Sequence, residues 1–336
     1  MPLIIQDFKK YSIWFFAFLV FGCQSEPKLQ RAQGDALGTT YAILYADTSP
    51  NEVVLDSIDA IFLRINQSMS TYWPNSIISK VNRGEEVQID VDFKNVYSAA
   101  KKVWKQTNGY FDPTVGALVN AYGFGPAQPL AVIDNNVIDS LMSLTGFSKL
   151  SLLEDQVIQK QNKHIYIDFN AIAKGYAVDA LAEMLKSLGY SEFLVEVGGE
   201  LFASGIHPEK QKPWRVAIDH PQQEVERSYI ATLSLQHLGL ASSGNYRKFR
   251  IDAQGTKYVH TINPKTGKTV KSNVLSSSVL APSTMLADAY ATALMAMPFD
   301  KGKALIDSLN EVEALWVLAE KDSVRVVATK GFDFSL

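Results

Sequence analysis

A single cysteine in 336 residues excludes any disulfide within the chain. Charge of either sign is also in short supply. The 32 Lys and Arg set against 35 Asp and Glu leave a net charge of −3, which excludes a basic surface built for nucleic acid. No internal repeat or low-complexity run is present, which removes solenoids and arrays from consideration. The apolar run at Tyr11–Gly22 has 12 residues, short of the roughly 20 that an ordinary membrane-spanning helix needs. What remains is a globular composition, 47% hydrophobic and 20% charged, with length for a sizeable core in one large domain or two closely packed lobes.

The N-terminus has signal-peptide anatomy: Lys9 and Lys10, the short apolar run, then Gly22 before Cys23. The stretch "VFGC" resembles a bacterial lipobox, whose cysteine is lipidated and begins the mature protein. The alternative is an uncleaved anchor with a bystander cysteine; either way the domain lies outside the cytoplasm. Residues 1–23 read as a lipoprotein signal ending at Cys23, 24–34 as a polar tether, and 35–336 as one catalytic domain. Gln24 after Cys23, where an inner-membrane retention signal has Asp, leans toward an outer-membrane anchor.

Beyond the tether, 36–46 reads as a strand, and 52–67 as a helix through Val54, Ile58, Ile61 and Ile65. Residues 69–82 read as a loop with a short turn, 92–107 as a helix stopped by Asn108-Gly109, and 110–125 as a turn into a short helix. A further helix is expected at 134–144. A β-α-β unit follows: strand 164–169, helix 170–189 capped by Gly189, and strand 193–197 turned by "GGE". Strands are expected at 214–219, 229–235, 257–262, 274–280, 313–319 and 323–328, with helices at 283–297 and 300–309. Elements interspersed in this irregular way predict an α+β fold, with mixed sheets and packed helices in two associated lobes.

The helix "APSTMLADAYATALMAM" at 281–297 poses a solvation problem: it is apolar almost all round, yet carries Asp288. A buried carboxylate must be paired, protonated or bound to a cation. The segment 279–299 contains no Lys, Arg or His, so any partner comes from elsewhere. Thr292 lies one turn on, on the same face, and the two oxygens suit Mg²⁺ or Ca²⁺ rather than zinc. A hydrogen-bonded or salt-bridged structural Asp explains this stretch equally. Asn170 and Lys174, at a helix N-terminus, form a natural anion site, though Lys174 also reads as a surface lysine. Asp112 before Pro113 reads as a cap or a ligand contact, and His260 as structural or chemical.

Nine stretches, in this order, resemble the ApbE family of FAD:protein FMN transferases. They are "LGTTY" (37–41), "MSTYWPNSIISKVN" (69–82), "FDPTVGALV" (111–119), "DFNAIAKGYAVDALAEML" (168–185), "VEVGGELFASG" (195–205), "PWRVAIDHP" (213–221), "SSGNYRKF" (242–249), "HTINPKTG" (260–267) and "LADAYATALMAM" (286–297). The resemblance implies Mg²⁺-dependent cleavage of FAD, attachment of FMN to a Thr or Ser hydroxyl of an acceptor protein, and release of AMP. It implies that Asp288, Thr292 and the backbone carbonyl of Ala171 ligate the metal. It also implies that Leu37, Ser70, Thr71, Tyr72, Asp112, Lys174 and Ile262 contact FAD, and that His260 accepts the proton. A lipid anchor at Cys23 facing the periplasm fits such enzymes. The chain departs from the family's usual Met at Leu37, Asp at Glu200 and Asp at Asn263; the last removes a carboxylate from the active-site turn. Two other activities remain open: a Mg²⁺-dependent FAD pyrophosphatase, and a non-catalytic lipid-anchored flavin-binding protein.

Overall fold

The computed structural model of the chain describes residues 28–221, 228–245, 249–251, 257–321 and 323–336. The first half runs β1 (Lys28–Ala36), β2 (Thr39–Asp47), α1 (Glu52–Met69), α2 (Ile77–Arg83), α3 (Val91–Gln106), α4 (Gly116–Tyr122), α5 (Asn135–Ser143), β3 (Leu150–Leu152), β4 (Ile158–Lys160) and α6 (Ala173–Ser187). The second half runs β5 (Phe193–Val197), β6 (Glu200–Ser204), β7 (Trp214–Asp219), β8 (Tyr229–Leu235), β9 (Leu238–Gly244), β10 (Phe249–Ile251), β11 (Lys257–Val259), β12 (Val274–Ala281), α7 (Thr284–Ala296), α8 (Phe299–Asp307), β13 (Glu313–Ala319) and β14 (Val324–Ala328). This is the α+β arrangement expected.

Eight strands form one antiparallel sheet in the order β1-β2-β5-β6-β9-β12-β13-β14. Its central strands are apolar on both faces, so neighbouring residues enter different cores. Val279 and Ala281 of β12, with Ala314, Trp316 and Leu318 of β13, join the core under the helices. Leu280, Leu315 and Val317 point the other way and pack with Trp214, Val216, Leu233 and Leu235 of the β7–β8 hairpin. The helices start where side chains take up free N–H groups: Asn51 caps α1, Asp90 caps α3 and Asp134 caps α5. Helix α7 lies across β9 and β12 and against α6. Ten of its 13 residues are buried, which is why it shows no polar stripe.

Four expectations need correcting. The stretch read as a tether is β1 from Lys28 onward, paired residue for residue with β2 from Lys28↔Asp47 to Ala36↔Thr39. An edge strand buries little, so its polar sequence gives no apolar signal. The expected strand at 164–169 joins no sheet among the described residues; its ladder contact is a single parallel bridge from Tyr166 to Val115. The Asn82 side-chain amide brackets Ile167 instead, donating to its carbonyl (2.9 Å) and accepting its N–H (2.8 Å), as a neighbouring strand would. The helix expected from 170 begins at Ala173, and the loop at 69–82 contains α2, capped by Ser76. Strands β6 and β9 were not expected. Small residues mask β9, and one has a structural reason: a Cβ on Gly239 would stand 2.6 Å from the backbone N of Thr284, where α7 begins. Cys23 and the signal segment lie outside the described residues.

Candidate active site

Asp288 finds its partner on α6. Its Oδ2 accepts the Gly175 N–H at 3.1 Å. Gly175 is in the first turn of α6, where N–H groups lack intrahelical acceptors, so Asp288 caps α6 from outside. Asp179 on α6 returns the contact, accepting the N–H groups of Thr284 (2.8 Å) and Met285 (2.9 Å) and the Ser283 hydroxyl (2.7 Å) at the start of α7. Residue 175 meets 288 and 179 meets 284, so the helices run antiparallel with their first turns overlapping. Gly175 permits this, since a Cβ there would lie 2.4 Å from the Thr284 carbonyl oxygen. The mutual capping was not foreseen. Asp179, five residues after Lys174, has the spacing of an ordinary solvent-facing acid.

Lys174 extends from the same turn. Its Nζ lies 2.8 Å from Glu200 Oε1 and 3.8 Å from Asp288 Oδ2. Glu200 opens β6 just after the Gly198-Gly199 turn, and a Cβ on Gly198 would meet both Thr39 and the Lys174 stem. The tip of the β1–β2 hairpin therefore adjoins the cluster. At that tip Leu37 and Gly38 both adopt positive φ, 53° and 73°, as a two-residue hairpin turn requires. A leucine in that region is strained, and such strain often marks functional backbone. Thr292 lies one turn beyond Asp288, its hydroxyl 3.4 Å from that of Ser243 on β9.

Glu200 and Asp288 are 4% and 3% exposed, so the site buries two carboxylates beside one ammonium. Burial holds both carboxyls above their usual range, while Lys174 pulls each back down. Glu200 Oε2 is buried with no hydrogen-bond partner. This surplus of negative charge and an open oxygen suit a hard cation. No group of three or more His, Cys, Asp and Glu side chains converges among the described residues, so a zinc-type donor set is missing. A Mg²⁺ ion, which keeps waters and takes phosphate oxygens, fits Asp288 and Thr292. Ala171, the implied carbonyl ligand, lies in the turn leading into α6. In the sequence Glu200 reads as part of the turn after 193–197 and as a departure from the family's usual Asp, and neither reading gives it a role in the site.

The remaining residues form the surround. The Ser70 carbonyl accepts the Ser76 hydroxyl at 2.7 Å, fixing the loop after α1. Thr71 is buried with an unpartnered hydroxyl, and Tyr72 is exposed. Burial and the nearby Asp168 charge raise the Tyr72 pKa, so this loop faces the 168–174 segment. Asp168, also not foreseen, is buried, accepts the Asn170 N–H at 2.8 Å and donates its own N–H to the Pro113 carbonyl at 2.8 Å. Asp112 has both oxygens committed internally: one to Thr114, through N–H (2.8 Å) and hydroxyl (2.5 Å), the other to the Phe147 N–H (3.0 Å). It is a strut between two loops, and no ligand is needed to explain it. Ile262 packs with Leu118 and Tyr122 and forms an isolated antiparallel bridge with Thr269. His260 sits edge-on to the Phe124 ring, centroids 6.4 Å apart. Asn263 accepts the Lys265 N–H at 2.9 Å, a turn contact that an aspartate makes equally, so this departure leaves the turn intact.

Under the 160s loop, the Lys160 ammonium donates to the carbonyls of Asn82 (3.0 Å), Lys163 (2.8 Å) and Ile165 (3.0 Å). Burial pushes its pKa down from 10.5 to about 8. Between those values the unfolded chain holds the proton and the folded chain gives it up, so this group's share of stability rises with pH. Lys160→Met is expected to flatten that rise, read as urea midpoints at about pH 7.5 and 9.5. Equal pH slopes in the two proteins would refute the assignment.

The arrangement has relatives. Residues 37–316 match the sequence model of the ApbE family. A FAD:protein FMN transferase of Haemophilus influenzae is 35% identical over 306 residues, covering 88% of each chain. One of the same name from Vibrio cholerae is 32% identical over 321 residues, covering 94% of this chain and 95% of that protein. Among solved structures, the flavin transferase ApbE from Vibrio cholerae is similar with a TM-score of 0.81 at 30% identity, over 91% of this chain and 98% of that one. The apo flavinyl transferase ApbE from Pseudomonas stutzeri is similar with a TM-score of 0.81 at 31% identity, over 92% and 96%.

Proposed function

The chain belongs to the ApbE family, and from that premise we propose that this flavin transferase moves the FMN half of FAD onto a Thr or Ser hydroxyl of an acceptor protein, with AMP leaving and Mg²⁺ required. The observation that carries the reading is the convergence of Asp288, Glu200, Lys174 and the first turn of α6 on one buried point. Such a point suits a pyrophosphate and its cation.

Asp288, Thr292 and the Ala171 carbonyl would hold the Mg²⁺. A cation bound there would supply charge neutralisation for the phosphates and for the departing AMP. The chain's own groups do the rest. Lys174 and the helix N-terminus set positive charge against the phosphate oxygens. The Thr71 hydroxyl and the exposed Tyr72 ring offer contacts to the rest of FAD. His260 takes the proton from the acceptor hydroxyl as its oxygen bonds to the FMN phosphorus. The bond from that phosphorus to the bridging oxygen breaks, and AMP carries that oxygen away. General-base help of this kind contributes roughly 10²–10⁴-fold.

Incubating the purified protein with FAD and Mg²⁺, with and without acceptor, tests the reading. An acceptor mass increased by FMN, together with free AMP, is expected. FMN and AMP released without acceptor would make it a pyrophosphatase, and no turnover would make it a carrier. His260→Ala is expected to slow transfer while leaving the FAD dissociation constant unchanged. Lost FAD binding in that variant would assign His260 to structure. Anchoring through lipid on Cys23 in the bacterial envelope is part of the same proposal. Cys23→Ser should move the protein from the membrane to the soluble fraction.

A further inference from the structure

The Lys174 ammonium stands between two buried acids, 2.8 Å from Glu200 Oε1 and 3.8 Å from Asp288 Oδ2. That second contact sets a positive charge beside the carboxylate that would receive a dication. Like charges in a poorly solvated site repel strongly. Glu200, buried at the start of β6, makes the shorter contact and holds the ammonium on its own side of the pair. The Gly175 N–H holds the same carboxylate oxygen, Oδ2, at 3.1 Å, which ties Asp288 to the first turn of α6 and restrains it from closing on Lys174.

We propose that Lys174 is a tethered cation that competes with the divalent cation for Asp288, and that Glu200 is a positioning residue that draws it aside. The site then exchanges one positive charge for another instead of exposing bare carboxylates. Glu200 acts through Lys174 and need not touch the metal. This inference rests on the reading that Asp288 and Thr292 take a divalent cation.

The test is Mn²⁺ binding to the full-length, FAD-free protein, followed by loss of the free-ion electron paramagnetic resonance signal. Lys174→Gln removes the charge and keeps a donor toward Glu200; it is expected to tighten Mn²⁺ binding by about tenfold or more. Glu200→Gln, which keeps the side-chain shape, is expected to weaken it by about tenfold. The double variant separates the roles. If Glu200 acts by holding Lys174, Glu200→Gln costs at least about threefold more with Lys174 present than in the Lys174→Gln background. Equal costs in both backgrounds would make Glu200 a direct ligand or a plain field source and overturn the positioning role. Unchanged or weaker binding in Lys174→Gln would overturn the competition itself. Wild-type protein that takes up no Mn²⁺, with or without FAD, would instead sink the cation reading of Asp288. Near-isosteric changes are used so that folding, checked by circular dichroism, is retained. Should Lys174→Gln fail to fold, Lys174→Met in its place carries the same expectation.

Discussion

Asp288→Asn is expected to lower FMN transfer by at least about 10³-fold while leaving most of the fold's stability in place. This residue has two jobs. As a cap, Asp288 offers one oxygen to the Gly175 N–H, and an asparagine carbonyl serves nearly as well. As a charge, it has no substitute on its own helix: 279–299 contains no other Asp or Glu, and no Lys, Arg or His. Single-turnover transfer to an acceptor, at saturating FAD and Mg²⁺, reads the first effect; the thermal midpoint reads the second. Asp288→Ala should add a stability loss of about 1–3 kcal/mol, because the buried Gly175 N–H then lacks an acceptor. Normal transfer by Asp288→Asn would show that the acid is only a cap.

Gly175→Ala should have the largest effect on folding. Within a helix this exchange ordinarily stabilises by up to about 1 kcal/mol. Here the new Cβ would stand 2.4 Å from the Thr284 carbonyl oxygen and 2.7 Å from Met285 Cα, both rigid parts of α7. The helices must separate, which also pulls the Gly175 N–H off Asp288 and breaks the Asp179 contacts. A loss of about 3–5 kcal/mol is expected, enough to lower the yield of folded protein sharply. Urea unfolding of Gly175→Ala against wild type gives the value. A neutral or stabilised variant would mean that the α6–α7 crossing has room for a methyl group.

The legible parts of this protein in sequence were those governed by local rules. Helices α1, α3, α6 and α7 announce themselves by apolar spacing or by strong caps. Asp288 and Lys174 stood out because a charge in an apolar helix and a lysine at a helix start both demand an explanation. The illegible parts depend on partners far away in the chain. The place of β9 between β6 and β12 follows from how α7 packs, and no local pattern states it. Asp168, Asp179 and Glu200 are ordinary acids until folding brings Pro113, Thr284 and Lys174 to them. The 164–169 segment misled for a related reason. Its buried Ile165, Ile167 and Phe169 alternate as in a strand, but a side-chain amide, not a strand, satisfies the Ile167 backbone. Asp112 shows the converse, a residue in a family motif whose oxygens are spent on the scaffold.

The strand that begins at Lys28 sets a working radius. On the proposed anchoring at Cys23, five residue steps of leash separate the lipid from Lys28, a covalent reach of at most about 18 Å, whereas a tether running to residue 34 would give about 40 Å. Strand β1 is nine residues long, about 30 Å, and it delivers the chain from the leash to the Leu37-Gly38 tip beside Lys174. Were Cys23 lipidated as proposed, the reacting phosphate would stay within about 50 Å of the lipid surface in every orientation of the domain. An acceptor whose target hydroxyl is held farther out would have to approach the membrane to be modified. Lengthening the segment after Cys23 with flexible residues would extend that range without altering the site.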